Sequence, residues 1–469
     1  MTVSFVSALK DPRVAIARTA SRDYPAATAG LEATRAIERI SSLLGWTHPE
    51  FGPLGNVIPE DARVVVKPNL VMHRNEGDWG IDPLITHPSL IGAVVTAVLQ
   101  SQASEVKVGD APVQGCHFKE LLKVTGLDLW SSELLGKEER FKGIDDFRRT
   151  TCDFVNGVRV ASENLVDEDR FVLFDLGADS LLEPITDEEH PFRVTCYDPR
   201  LMKNTHAPRR HQYLVARDVI EADVIINLPK LKTHKKAGIT CALKNLIGIN
   251  GNKEYLPHHR TGGSETGGDC YPGGSRVKRA LEYTLDRQNM TASYAAARLW
   301  HGVATNLDRL ASLTGDHLGV EGSWSGNDTV WRTGLDLNRV LLYGRLDGSL
   351  ASTPQRTVIH LVDAVIAGQG DGPLRPQPLP LGLVIGGRNA PSVDLVGAYL
   401  LGYDPLMVPI VREAFSQFSW PLTESKADEV TVVGDLGSGN VAPLLTEMNL
   451  VQDIIYPAGW RDAVREENE

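Results

Sequence analysis

The sequence predicts an α/β protein: two α/β lobes with parallel sheets around a central cleft, plus a small antiparallel segment and a helical insertion. Three observations lead there. Strand, helix and strand follow one another at Arg63–Val66, Pro88–Gln100 and Glu105–Val108, an order that makes a parallel βαβ unit. Parallel character returns with the apolar run Ala222–Leu228 and again across the last third. Between these, residues 150–200 hold short β-type runs separated by acidic turns, which reads as antiparallel structure over one edge.

Taken in order, Leu31, Ile37, Ile40, Leu43 and Leu44 have helical spacing. The strand Arg63–Val66 runs into Lys67-Pro68-Asn69, where proline stops the ladder. Thr86 or Ser89 is available to cap the helix Pro88–Gln100. The next strand leads into Gly109-Asp110-Ala111-Pro112. Val158–Ala161, Phe171–Phe174 and Arg193–Tyr197 are the short β-type runs. After Ala222–Leu228 comes a long basic loop. Thr261–Gly274 then has six glycines in fourteen residues, a mobile flap or a linker. Residues 277–316 are helical by content, and strands follow at Thr357–Leu361, Leu383–Ile385 and Glu429–Val433, with helices from about Ser392 to Leu401 and Met407 to Ser416. The expected division is 1–220, an N-terminal lobe with the antiparallel extension; 221–275, a basic loop and glycine-rich flap; 276–340, helical; and 341–469, a C-terminal lobe.

At 469 residues the chain has room for two or three domains or one large body. Its 48 Lys+Arg against 60 Asp+Glu give a net charge of -12, which argues against nucleic-acid backbones as partners. No run approaches the ~20 apolar residues that span a bilayer, and the opening residues resemble neither a secretory nor a twin-arginine signal. Five scattered cysteines with no C-x-x-C pair fit reduced thiols, not disulfides, zinc or an iron–sulfur cluster. The expectation is a cytoplasmic protein with no membrane partner, and a candidate homo-oligomer.

In open α/β sheets ligands sit beyond the carboxyl ends of the strands. There stand Lys67-Pro68-Asn69, Gly109-Asp110, Asn227 to His234, Asp363 with Gly368 to Pro373, and Gly386 to Asn389. The strongest signal runs from Lys230 to Arg260, with six lysines, Arg260 and three histidines against one acid, Glu254. Its alternative is a solvated basic face. Ile239, Leu243, Leu246 and Ile247 interleave with the charges, so part of the segment is buried, and a buried lysine needs an anion or loses its proton. Lys244-Asn245 is therefore placed inside a site for a small phosphate or carboxylate, held by lysines and amide donors. Asp110, Asp363, Asp371 and Asp394 orient the lysines, act as bases, or join His87 and His234 around a divalent metal, although no H-E-x-x-H spacing supports a metal. Asp394 is either a first-turn helix acid or a ligand contact. His258-His259 reads as surface, and Cys241 as a small core residue. No P-loop, G-x-G-x-x-G or G-x-S-x-G pattern occurs.

These residues also carry a resemblance. KPNL at Lys67–Leu70, THP at Thr86–Pro88, Gly109-Asp110, the string INLPKLKTHKKAGITCALKNLIGI at Ile226–Ile249, VDAVIAGQGDGP at Val362–Pro373 and VDLVGAYLLGYDP at Val393–Pro405 resemble the family called domain of unknown function three-six-two. Many of its members add a ferredoxin-like cysteine run, which this chain lacks, so an iron–sulfur cluster is not implied. More distantly, His234, Ala237-Gly238 and Lys244 are similar in spacing to a segment of the nickel-pincer lactate racemases. That resemblance implies a shared architecture, with covalent cofactor attachment falling on Lys244 and proton or hydride chemistry on His234. Thr240-Cys241-Ala242 and Asn245 depart from the pattern, and nickel is not inferred.

The resulting expectation is an enzyme that runs acid–base chemistry (isomerisation, epimerisation or elimination) on a small anionic substrate. Lys244, His234 and Asp110 are its catalytic candidates; Lys67, Asn69, His87, Lys230, Lys232, Asn245 and Asp363 are its substrate contacts. A lysine among cations has a lowered pKa and can serve as a base. The rival expectations are an oxidoreductase using a metal or nucleotide cofactor in the same cleft, and a non-catalytic carrier of an anionic cofactor.

Overall fold

The structure, a computed structural model, describes residues 8–164, 167–313, 317–447 and 453–464. Residues 314–316, the end of the expected helical stretch, lie outside the described residues. The first half contributes strands β1 (Arg13–Arg18), β2 (Arg63–Pro68), β3 (Glu105–Asp110) and β4 (Phe141–Asp146). The middle contributes β5 (Val224–Leu228), β6 (Lys230–His234) and β7 (Gly238–Thr240). The last third adds β8 (Thr357–Asp371), β9 (Arg375–Gly387), β10 (Thr431–Gly434) and β11 (Gly439–Asn440). Among the described residues all eleven share one sheet, in the order β11-β10-β1-β9-β8-β5-β2-β3-β4, with β6 beside β8 and β7 beside β6.

The expected parallel pairings around β2, β3 and β5 are present, but in the last third β9 lies antiparallel to both β8 and β1, so the parallel sheet expected there is mixed. β5 lies parallel between β2 and β8, and β3 lies parallel between β2 and β4. All five residues of β5 are buried, which explains its unbroken apolar run. Each such Val, Ile or Leu contributes about 1.5–3 kcal/mol by leaving water. Helices α1 (Ala29–Leu44) and α2 (Pro88–Gln100) share one apolar core with β2 and β3, while α4 (Val330–Tyr343) and the strands Phe171–Asp175 and Arg210–Ala216 share another. The cap of α2 is neither Thr86 nor Ser89: the His87 ring accepts the Ser89 N–H. Short antiparallel sheets occupy the 150–216 stretch, although the expected strand Arg193–Tyr197 is reduced to Phe192–Arg193.

Three expectations need correction. The basic loop after Leu228 is strand β6: Lys230, Lys232 and His234 alternate with Leu231 and Thr233, so the basic side chains share one face while Leu231 enters the core. Gly368 to Asp371 belongs to β8, not to a loop, and a Cβ on Gly368 would lie 2.7 Å from the Lys232 Cβ. The glycine is there because β6 and β8 approach closely. Finally, residues 261–274 fold back on themselves rather than forming an extended linker. Cys270 N–H bonds to the Gly262 carbonyl, Ser264 N–H bonds to the Tyr271 carbonyl, and Cys270 and Tyr271 are buried.

Candidate functional site

The carboxyl ends of β2, β3 and β5 lie side by side, with Asn227 in register with Lys67. From there a polar network runs through the interior. Lys67 Nζ lies 2.7 Å from Asp110 Oδ1 and donates to Asn245 Oδ1 at 3.0 Å. Asn69 Nδ2 donates to the same Asn245 oxygen at 2.9 Å, and Asn69 Oδ1 accepts from Lys232 Nζ at 2.9 Å. Asn245 Nδ2 in turn donates to Asn227 Oδ1 at 2.7 Å. Lys67, Asn69, Asp110, Lys232 and Asn245 are all buried, so the sequence-predicted residues of three separate segments meet in one place.

Lys244 stands on α3 (Ala242–Asn245), a single turn. The Asp394 carboxylate, on α5 (Ala390–Leu400), accepts the Leu243 N–H at 3.2 Å and also bonds the Ala242 amide and the Cys241 thiol. Of the two readings open for Asp394, the structure shows a carboxylate that anchors the turn carrying Lys244. It also takes up the free amides there, so an anion at this turn depends on side chains rather than on backbone donors. Cys241 is buried as expected, its thiol pushed well up by burial and by Asp394.

The sequence-predicted contacts Lys230, Asp363 and His87 form a neighbouring knot instead. Lys230 Nζ is held by Asp363 Oδ2 at 2.8 Å, the Tyr24 hydroxyl at 2.8 Å and the Ile366 carbonyl at 3.1 Å, which uses all three of its protons. Asp363 accepts the His87 N–H at 2.8 Å, and the His87 ring stacks on Tyr24 at 3.8 Å. Burial alone would raise the Asp363 pKa, but Lys230 and these hydrogen bonds bring it below the ordinary value. Lys230 and Asp363 thus satisfy each other.

Electrostatically, the cluster is overloaded with cations. Burial, then Lys253, Lys67 and Lys236, lower the Lys244 pKa to about 7. Burial lowers Lys253 to about 8, and burial followed by Lys230 and Lys244 pushes Lys232 well below its ordinary value. His234 and His258 are pushed well down by burial and the surrounding lysines, so both rings are neutral. His234 Nδ1 accepts the backbone N–H of Lys236 at 3.0 Å and of Ala237 at 3.2 Å, so its proton sits on Nε2. His258 is the reverse. Its Nδ1 lies 2.7 Å from the Leu256 carbonyl and must donate there, which leaves Nε2 as a bare lone pair.

His258 and Lys253 are the members the sequence reading missed. Both lie in the basic island, but His258-His259 was expected at the surface, whereas His259 is buried and His258 partly so. The metal constellation expected from His87, His234 and the four aspartates is not assembled. Among the described residues the group with converging ligand atoms is His73, His117 and Glu120, elsewhere. Around Lys244 a bare divalent cation does not fit, because the carboxylates Asp110 and Asp363 are already matched to lysines and the remaining ammonium groups repel it.

Fold and site together define an α/β protein with a largely buried cluster of lysines and histidines at the carboxyl ends of its central strands. The chain belongs to the family described as Domain of unknown function (DUF362), whose model matches residues 64–174 and 178–399. No curated protein matches. Similar solved structures include a Thermotoga maritima protein, 11% identical with a TM-score of 0.31, covering 77% of this chain and 56% of that one. They also include lactate racemase apoprotein from Thermoanaerobacterium thermosaccharolyticum, 10% identical with a TM-score of 0.30, covering 84% of this chain and 58% of that one. The chain thus spans a little over half the length of each. Among the described residues no helix is long and apolar enough to cross a membrane.

Proposed function

We propose that the protein is an enzyme that holds a small anionic substrate among these lysines and moves a proton on it, as isomerases, epimerases and lyases do. The observation that carries this reading is the opposite hydrogen-bond polarity of His234 and His258, two neutral imidazoles that both lie within the field of Lys244. His258 Nε2 has the lone pair a general base needs. His234 Nε2 carries the proton that would bond to, or pass to, an oxygen gaining charge. The lysines hold the substrate's anionic end, and Lys244, with a pKa near neutrality, is a second proton carrier. Asp110 serves by keeping Lys67 charged.

Two measurements test this. Nitrogen-15 NMR of the histidine rings should report Nε2–H for His234 and Nδ1–H for His258 at pH 7. Incubation in deuterium oxide with a panel of 2-hydroxy acids, 2-oxo acids and sugar phosphates should exchange a carbon-bound proton in at least one compound. His258→Gln and His234→Gln should each slow that exchange at least a hundredfold. Binding of a panel member without exchange would identify a carrier and overturn the enzymatic reading.

A further inference from the structure

Of six lysines in and around the cleft, three have a carboxylate partner: Lys67 with Asp110, Lys230 with Asp363, and Lys236 with Glu321 at 3.7 Å. The other three do not. Lys232 Nζ meets only the neutral oxygens of Asn69 and Leu84. Lys253 Nζ meets only the Ala111 carbonyl at 3.3 Å. Lys244 has no hydrogen bond or ion pair among the described residues, and it lies in the electrostatic range of both the others. The histidines between them are neutral and add no compensation.

Lys232 and Lys253 are buried and Lys244 is partly so, and a buried ion without a counter-charge costs several kcal/mol. A carboxylate offers one negative charge and two oxygens, which would leave two of the three ammonium groups unanswered. A phosphate offers two charges above pH 7 and an oxygen for each lysine. Asp394 holds the Ala242 and Leu243 amides of α3, and the Asn245 N–H bonds to the Cys241 carbonyl, so these backbone donors do not compete with the lysines.

From this surplus we infer that the cleft takes a dianionic ligand of the phosphate-ester class, with Lys232, Lys244 and Lys253 each binding a phosphoryl oxygen. The inference rests on the reading of the cleft as an anion site and narrows it to the charge and shape of the anion. Because Lys244 and Lys253 have lowered proton affinity, binding at pH 8 should draw protons onto them.

The probes are inorganic phosphate, sulfate and acetate at constant ionic strength and pH 8, with the full chain. Titration calorimetry should show phosphate and sulfate binding at least tenfold tighter than acetate. Repeating it in buffers of different ionisation enthalpy should show net proton uptake. Lys232→Met, Lys244→Met and Lys253→Met should each weaken phosphate at least tenfold, while Lys123→Met, on an exposed helix, should not. Circular dichroism identifies any variant that has lost its fold, and Lys→Gln at the same position then replaces it. Equal affinity for acetate and phosphate would overturn the dianion while leaving the histidine polarity, read separately by NMR, in place. Equal losses in Lys123→Met and Lys244→Met would also overturn it, by showing nonspecific charge binding.

Discussion

The Asp394 carboxylate accepts the Leu243 N–H from across the fold, 151 residues away in sequence, and so fixes the turn on which Lys244 stands. Burial raises the Asp394 pKa to about 7, against the hydrogen bonds from Cys241, Leu243 and Ala242. An unfolded aspartate titrates near 3.9. Between those values the folded chain binds the extra proton, so this group's contribution to stability is full at low pH and is lost as pH rises to about 7. Asp394→Asn keeps an acceptor oxygen but cannot ionise. Its stability relative to wild type should rise by about 3 kcal/mol between pH 5 and pH 8, taking ~1.4 kcal/mol per unit. Urea unfolding at the two pH values measures it, and parallel curves would remove the raised carboxyl.

Lys244 has the opposite sign. Its folded pKa of about 7 lies below the ~10.4 of an unfolded lysine, so the folded chain binds fewer protons between the two. The penalty is full below pH 7 and is relieved as pH rises toward 10. Lys244→Met should therefore gain most over wild type at pH 7 and least at pH 10. In wild type, amine acylation followed by mass spectrometry should show Lys244 reactivity rising with a midpoint near pH 7. A midpoint near 10 at Lys244 would mean that the neighbouring cations do not act on it.

The Lys67–Asp110 pair is almost wholly buried, with side-chain exposures of 1% and 3%. Removing one partner strands the other charge. Asp110→Asn should cost about 3–5 kcal/mol, whereas the double replacement Lys67→Met with Asp110→Leu should cost less than Asp110→Asn alone. A double-mutant cycle of Lys67→Met, Asp110→Leu and their combination, read by chemical denaturation, decides this, and additive losses would show the two groups to be independent.

Much of this arrangement was legible in the sequence, and the reasons differ by residue. Lys67 and Asp110 stand at the ends of strands whose β-branched runs are unmistakable and Asn69 directly follows one, so their meeting follows from strand order. Lys244 and Asn245 were marked by apolar neighbours that require burial. The alternation of Lys230, Lys232 and His234 with Leu231 and Thr233 is equally visible, but the charges mask its period of two, so a buried strand has the look of a basic loop. The proline- and glycine-containing lengths of β8 and β9 hid in the same way, because Gly368 answers to Lys232 on a neighbouring strand, which no local pattern reveals. His258 was hidden for another reason: its role depends on a hydrogen bond to the Leu256 carbonyl, and tautomers are set by tertiary contacts.

Gly248 supplies the last prediction. It follows Lys244 by one turn, in the short helix Leu246–Ile249. A Cβ built there would lie 2.3 Å from Asp110 Oδ1, 2.6 Å from Lys67 Nζ and 3.0 Å from Lys67 Cε. Lys67 is buried and its ammonium is already engaged by Asp110, Asn245 and the Pro68 carbonyl, so it has no free volume to retreat into. Gly248→Ala must then spread the ion pair or shift the helix, and overpacking of this kind costs about 1–3 kcal/mol. If the helix shifts, Lys244 moves with it, and phosphate affinity should fall along with stability. In the variant Asp110→Ala the obstructing carboxylate is absent, so adding Gly248→Ala there should cost less than in wild type. Chemical denaturation of the four chains gives the coupling energy, and a value of zero would place the strain elsewhere than at the Lys67–Asp110 pair.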